Sequence, residues 1–181
     1  MRKIIVSEYV SLDGIFENPS WTMPYWNDEI AKFKLGELFN SGALLLGRVT
    51  YEGFAAAWPG RTDEQGYADR INSLPKYVVS SRLRAVAWEN SHLIRSNIDR
   101  EIARLKEEPG HDLLVFGSGQ LVESLADHGL VDEYIILVYP LVLGNGRRLF
   151  QDGSQKKLQL VHSQVFSSGV VALTYRPEGA E

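Results

Sequence analysis

Residues 3–10 (KIIVSEYV) are dominated by β-branched and aromatic types and predict a strand. Residues 11–24 carry the turn pairs Asp13-Gly14 and Asn18-Pro19 and predict a loop. Over 25–41, Ile30, Phe33, Leu35, Leu38 and Phe39 recur at helical spacing, with Gly42 as the terminator. A short apolar strand follows at 43–46, then Gly47 and a helix over 48–57. Residues 58–70 are polar and predict a flexible connection. Strands are expected at 76–80, 112–116 and 132–139, and helices at 98–108 and 119–128. Two final strands, 158–166 and 169–176, flank Ser167-Ser168-Gly169 and predict an antiparallel pair.

Strands alternating with helices predict an α/β fold with three layers. The central sheet is mostly parallel, with helices on both faces and antiparallel strands at the C-terminal edge. The continuous apolar run DLLVF (112–116) suits a strand buried on both faces. The expected organisation is one domain over 1–176 and a flexible tail over 177–181.

Composition narrows the chemistry. The chain has 181 residues, an ordinary share of charged residues and no cysteine. The lack of thiols removes thiolate nucleophiles and cysteine-based zinc sites. A net charge of −4 lacks the positive field of non-specific nucleic-acid binding. The four histidines fall at no metal-ligand spacing, so no metal is expected. Ser7 and Glu8 interrupt the first apolar run, and no stretch of 18 apolar residues exists. A cytoplasmic protein without a membrane span is therefore expected.

Three turns look suited to anions, and each follows a predicted strand. In VFGSGQLVES, a strand runs into Gly117-Ser118-Gly119, and Gln120 and Leu121 open a helix. Glycines let the backbone approach a ligand, and the helix N-terminus favours a pyrophosphate. The same turn could be no more than a cap made by Ser118. Val122 stands where a dinucleotide fingerprint would place its third glycine. In LLLGRVTYEGF, Gly47, Arg48 and Thr50 open the second helix. Thr50 could cap it or donate to phosphate, and Arg48 could pair with phosphate or point into solvent. In KYVVSSRL, Ser80, Ser81 and Arg82 offer hydroxyls and a guanidinium for a ribose 2′-phosphate, or form a polar turn. All three lie at carboxyl ends of strands, where open α/β sheets bind ligands.

The series LDG, GRVTYE, VVSS, FGSGQL and PLVLGNGRRLF resembles the dihydrofolate reductase superfamily across residues 3–175. It is most similar to standalone proteins like the reductase domain of the bifunctional riboflavin-biosynthesis deaminase/reductase. The resemblance implies a dihydrofolate-reductase-like sandwich and NADPH as cofactor. It implies that Gly47, Arg48 and Thr50 face the cofactor phosphates. Ser80, Ser81 and Arg82 would lie near the 2′-phosphate. Gly117, Ser118, Gly119, Gln120 and Leu121 would lie under the pyrophosphate. Val10 to Ile15 would lead into a mobile loop over the nicotinamide.

For an acid there are two candidates. Glu29 stands four residues before Phe33-Lys34, as the first-helix carboxylate of dihydrofolate reductases does. It could face the pocket with a raised pKa, or offset the helix dipole. Asp13 sits in the loop beside the expected nicotinamide, or simply makes an Asp-Gly turn. Trp21, Trp26 and Trp58 could stack on a planar heterocycle or serve as anchors. The function expected is hydride transfer to a C=N or C=O bond of a small pterin-, pyrimidine- or flavin-precursor-like substrate. The alternative is a nucleotide-binding module of the same fold without turnover. A titratable group near the nicotinamide distinguishes the two. A homodimer is expected over Tyr134, Ile136, Val138, Leu141 and Leu143.

Overall fold

A computed structural model describes residues 1–179. Eight strands form one sheet in the order β4-β3-β2-β5-β1-β6-β8-β7. They are β1 (Ile4–Ser11), β2 (Ser41–Gly47), β3 (Lys76–Val79), β4 (Ser91–Ile94), β5 (Asp112–Phe116), β6 (Glu133–Tyr139), β7 (Leu158–Val165) and β8 (Val171–Pro177). β1 to β6 pair in parallel, while β8 is antiparallel to both β6 and β7. The five helices are α1 (Asp28–Asn40), α2 (Arg48–Ala57), α3 (Tyr67–Ser73), α4 (Ile98–Glu107) and α5 (Gly119–Asp127).

The strand period of two divides β1 between two cores. Ile4, Val6 and Val10 pack with Ile102 and Leu105 of α4 and with Leu121, Val122 and Leu125 of α5. Ile5 and Tyr9 point to the opposite face, which α1, α2 and α3 cover. The result is the expected three-layer α/β sandwich. Its crossovers create the crevice that matters. From β1 the chain crosses one face through α1 to β2, and from β5 it crosses the other face through α5 to β6. The two crossovers part between β1 and β5, which is where such sheets open. The β1–β5 ladder ends at Ser7 and Phe116, while β1 stays paired with β6 to Ser11.

Several expectations are corrected. The connection 58–70 is not wholly flexible, because α3 begins at Tyr67. The Asp63 carboxylate accepts the amides of Gln65, Tyr67 and Ala68, and Ala68 and Ile71 are buried. β4 has only four residues and leaves no clear periodic trace. Residues 19–25 form a 3-10 helix inside the expected loop. α1 stops at Asn40, and Gly42 lies within β2 rather than capping the helix. Pro177 is the last residue of β8, not the start of a tail, and residues 180–181 of that tail lie outside the described ones. Among the described residues, no helix is long and apolar enough to cross a membrane.

Candidate active site

The turns after β2 and β5 meet at the carboxyl edge. Gly47 N–H donates to Ser118 Oγ (2.9 Å), and the hydroxyls of Thr50 and Ser118 share a hydrogen bond (3.0 Å). The contact admits no extra atom. A Cβ on Gly47 would stand 2.2 Å from Ser118 Oγ, and one on Gly117 would stand 2.4 Å from Thr50 Oγ1. Gly117 has φ +63°, a conformation that L side chains rarely adopt. Ser118 is also left-handed and makes no side-chain cap on α5. Neither α2 nor α5 has a side-chain cap or an acidic residue in its first turn. Two helix N-termini with unfilled amides therefore converge beside the crevice, which suits a diphosphate.

The other expected phosphate ligands divide. Arg48 pairs with Glu52 at 2.8 Å, within reach of the α2 N-terminus. Ser80 is buried, and its Oγ accepts the amides of Arg82 and Leu83, so it shapes the turn. Ser81 and Arg82 are exposed at the end of β3, and Gln120 is exposed on the first turn of α5. The Leu121 side chain is buried in the core, which leaves only its backbone to face a ligand.

Neither expected acid has the raised pKa of a stored proton in this structure. Glu29 is turned to solvent, and its carboxylate accepts the Ser167 amide (2.9 Å). That bond lowers its pKa. The inner stripe of α1 runs Ile30, Lys34, Leu38, and Glu29 lies off it. Asp13 accepts from Ser11 Oγ (2.5 Å), Leu143 N (3.2 Å) and Gly144 N (2.8 Å). These bonds, the Ser11 hydroxyl first, hold its carboxyl down at about 2. The segment from Val10 to Ile15 is not a free loop. Leu12 N bonds Leu141 O, Leu149 N bonds Gly14 O, and Ile15 bridges Arg148. Phe16 continues this wall and lies against Gly119. The PLVLGNGRRLF segment is thus a wall beside the crevice. Of the tryptophans, Trp21 packs edge-on against Tyr139, Trp58 against Tyr67, and Trp26 is exposed.

The structure instead brings together a charged cluster that sequence reasoning did not single out. Lys34 Nζ donates to Ser7 Oγ (2.7 Å) and pairs with Glu37 Oε2 (2.5 Å). Both side chains are nearly buried, at 4% and 6% exposure. The ammonium also lies over the rings of Phe116 (4.3 Å) and Tyr9 (5.0 Å). Glu8 lies next to this pair on β1 but on the opposite face of the strand, with Ile4, Val6 and Val10, and is 5% exposed. It is the first β1 residue beyond the last β5 pair. Its carboxyl faces the Gly117 amide, yet its Oε1 has no hydrogen-bond partner. Burial raises its pKa to about 8, against the opposing attraction of Lys34. The signal was available. Glu8 interrupts the inward apolar series Ile4, Val6, Val10, a place where a charge needs an explanation.

The comparisons with known proteins agree with this architecture. The model of the RibD C-terminal domain matches residues 2–172. The chain belongs to the RibD C-terminal domain family. This RibD-type domain is 31% identical to the uncharacterised protein YyaP of Bacillus subtilis (strain 168), over 98% of this chain and 96% of that one. Among solved structures, a Shewanella sp. PV-4 protein named for riboflavin biosynthesis superposes with a TM-score of 0.76 at 22% identity. The match covers 97% of this chain and 99% of that one. A deaminase/reductase of Thermotoga maritima, diaminohydroxyphosphoribosylaminopyrimidine deaminase/5-amino-6-(5-phosphoribosylamino)uracil reductase, gives 0.66 at 19% identity. There the domain covers 97% of this chain and 56% of that one. The fold is therefore the riboflavin-pathway reductase type.

Proposed function

We propose that this domain is an NADPH-dependent reductase acting on a C=N or C=O bond of a small planar substrate related to pterins, pyrimidines or flavin precursors. The observation that carries this reading is the convergence of two uncapped helix N-termini at the β1–β5 crevice, with glycines where any Cβ would collide. The backbone amides of Gly117–Leu121 and of the first turn of α2 would hold the diphosphate, together with Thr50. The contact from Ser118 Oγ to Gly47 N–H would give way or be shared. Arg48, Ser81 and Arg82 would hold the 2′-phosphate end. When bound, the cofactor supplies hydride, and the protein's part is orientation, exclusion of water and one proton.

Calorimetric titration with NADPH and NADH tests this. NADPH should bind much more tightly, and Arg48→Ala and Arg82→Ala should each weaken it by about 1–3 kcal/mol. Unchanged NADPH affinity in both variants overturns the phosphate assignment. The rival reading, a nucleotide-binding module without turnover, draws support from the ionised, hydrogen-bonded state of Asp13 and Glu29. Glu8 supports turnover instead, as a buried titratable acid just past the end of the β1–β5 ladder.

A further inference from the structure

We propose that Glu8 is the catalytic acid of this site: its buried, unpartnered carboxyl oxygen holds the proton that a reduced substrate receives and is in contact with the nicotinamide end of the bound cofactor. The proposal rests on the reductase reading above. Three geometric facts carry it. Glu8 is the first residue of β1 past the end of the β1–β5 ladder, at the crevice formed by the diverging crossovers. Its carboxyl faces the amide of Gly117, the first glycine of the expected pyrophosphate turn. Its Oε1 is buried without a partner, which is costly unless a ligand or a proton accounts for it.

The surrounding charges favour a neutral acid. Lys34 and Glu37 of α1 act on Glu8 through the sheet, from the face that Ser7 and Tyr9 line, and Tyr9 adjoins it on β1. Tyr67 of α3 lies behind them, close to Lys34, Tyr9 and Glu37. Lys34 and Glu37 already neutralise one another. A protonated Glu8 adds no charge to this buried stretch of the sheet, whereas an ionised Glu8 buries a negative charge with no ion-pair partner. Burial without a cationic partner therefore favours the protonated form of Glu8.

In the complex the nicotinamide would supply hydride, one proton with two electrons, to the carbon of the C=N or C=O bond. Glu8 gives its carboxyl proton to the nitrogen or oxygen, which takes up the electron pair of the broken π bond. Glu8 is left as a carboxylate, balanced by the positive charge of the oxidised ring, and regains a proton from water after release. The substrate class implied has a hydrogen-bond acceptor on the atom next to the reduced carbon.

Contact with the nicotinamide makes a prediction that needs no substrate. The oxidised ring is positively charged and favours ionised Glu8, whereas the reduced ring is neutral. Calorimetry in buffers of different ionisation enthalpy near neutral pH should show about one more proton released on binding NADP+ than on binding NADPH. The 2′-phosphate is common to both nucleotides, so its protons cancel in the difference. Glu8→Gln should abolish the excess release while still binding NADPH. Equal release for the two nucleotides in the unaltered protein overturns the role of Glu8 and leaves the reductase reading standing. So does an excess that persists in Glu8→Gln. Failure of both nucleotides to bind overturns the reductase reading itself, and the assignment of Glu8 with it.

Discussion

At the residue scale, the same physics that lets Glu8 store a proton makes it a burden on folding. Its folded pKa of about 8 lies above the ordinary value of 4.5. Between those values the folded chain binds a proton that the unfolded chain releases. Stability should therefore fall as pH rises from 4.5 to 8. Lys76 works in the opposite sense. It is buried on β3, donates to the carbonyls of Asn72 and Glu89, and lies over the Trp88 ring. Burial lowers its pKa from 10.5 to about 8, so the unfolded chain binds the extra proton and stability should rise over that window. Urea midpoints across the range should pass through a minimum near pH 8, and Glu8→Gln should remove the acid-side slope. A flat acid limb in the unaltered protein would show that Glu8 ionises normally. Lys34→Met leaves Glu37 buried and unpaired and should cost about 3–5 kcal/mol in the same assay.

At the element scale, the crevice depends on turns that hold one another. Gly117→Ala places a methyl against Thr50 and forces a left-handed alanine. The conformation alone costs about 1–2 kcal/mol, and separating the two turns should weaken NADPH binding at least as much as losing either arginine. Thermal melting and titration of that variant check both effects. The wall made by residues 11–17 and 141–149 hangs on Asp13. Asp13→Ala removes the acceptor of the Leu143 and Gly144 amides, whose hydrogen exchange should quicken while exchange in β1 and β5 stays slow. Of these elements, the helix and strand periods were legible in the chain and placed β1, β5, α2 and α5 within a residue or two. The spacing left open whether Glu29 faces the pocket or the helix dipole, and the structure places it at the exposed first turn. Phe33-Lys34 matched a spacing, but Ile30, Lys34 and Leu38 form the buried stripe, and Glu37 is the carboxylate it carries inside.

At the scale of the whole molecule, the surface expected to bind a second copy is only partly available, through Val138, Leu141 and Leu143. β6 lies between β1 and β8, and Tyr134 and Ile136 are buried in the core. One edge of the sheet is β7, where Leu160 and Val165 are 52% and 73% exposed and Val161 is close to half exposed. We propose that the homodimer expected from the sequence covers this edge, since an unpaired strand and its two-fold copy are self-complementary. Sedimentation should then show a dimer that Val161→Lys and Val165→Lys convert to monomer. A monomer at micromolar concentration refutes it. The sequence by itself determined the alternation of strands and helices, the layered fold and the three turns at the carboxyl ends of strands. Those features follow from local periodicity and local backbone chemistry, which act over a few residues. Only the tertiary structure decided which acid is buried. Glu8, Lys34 and Glu37 come from two elements, and their protonation depends on distances and on exclusion of water that no local pattern records. It likewise showed that Asp13 and Glu29 are consumed by amides from residues 143–144 and 167, partners more than a hundred positions away.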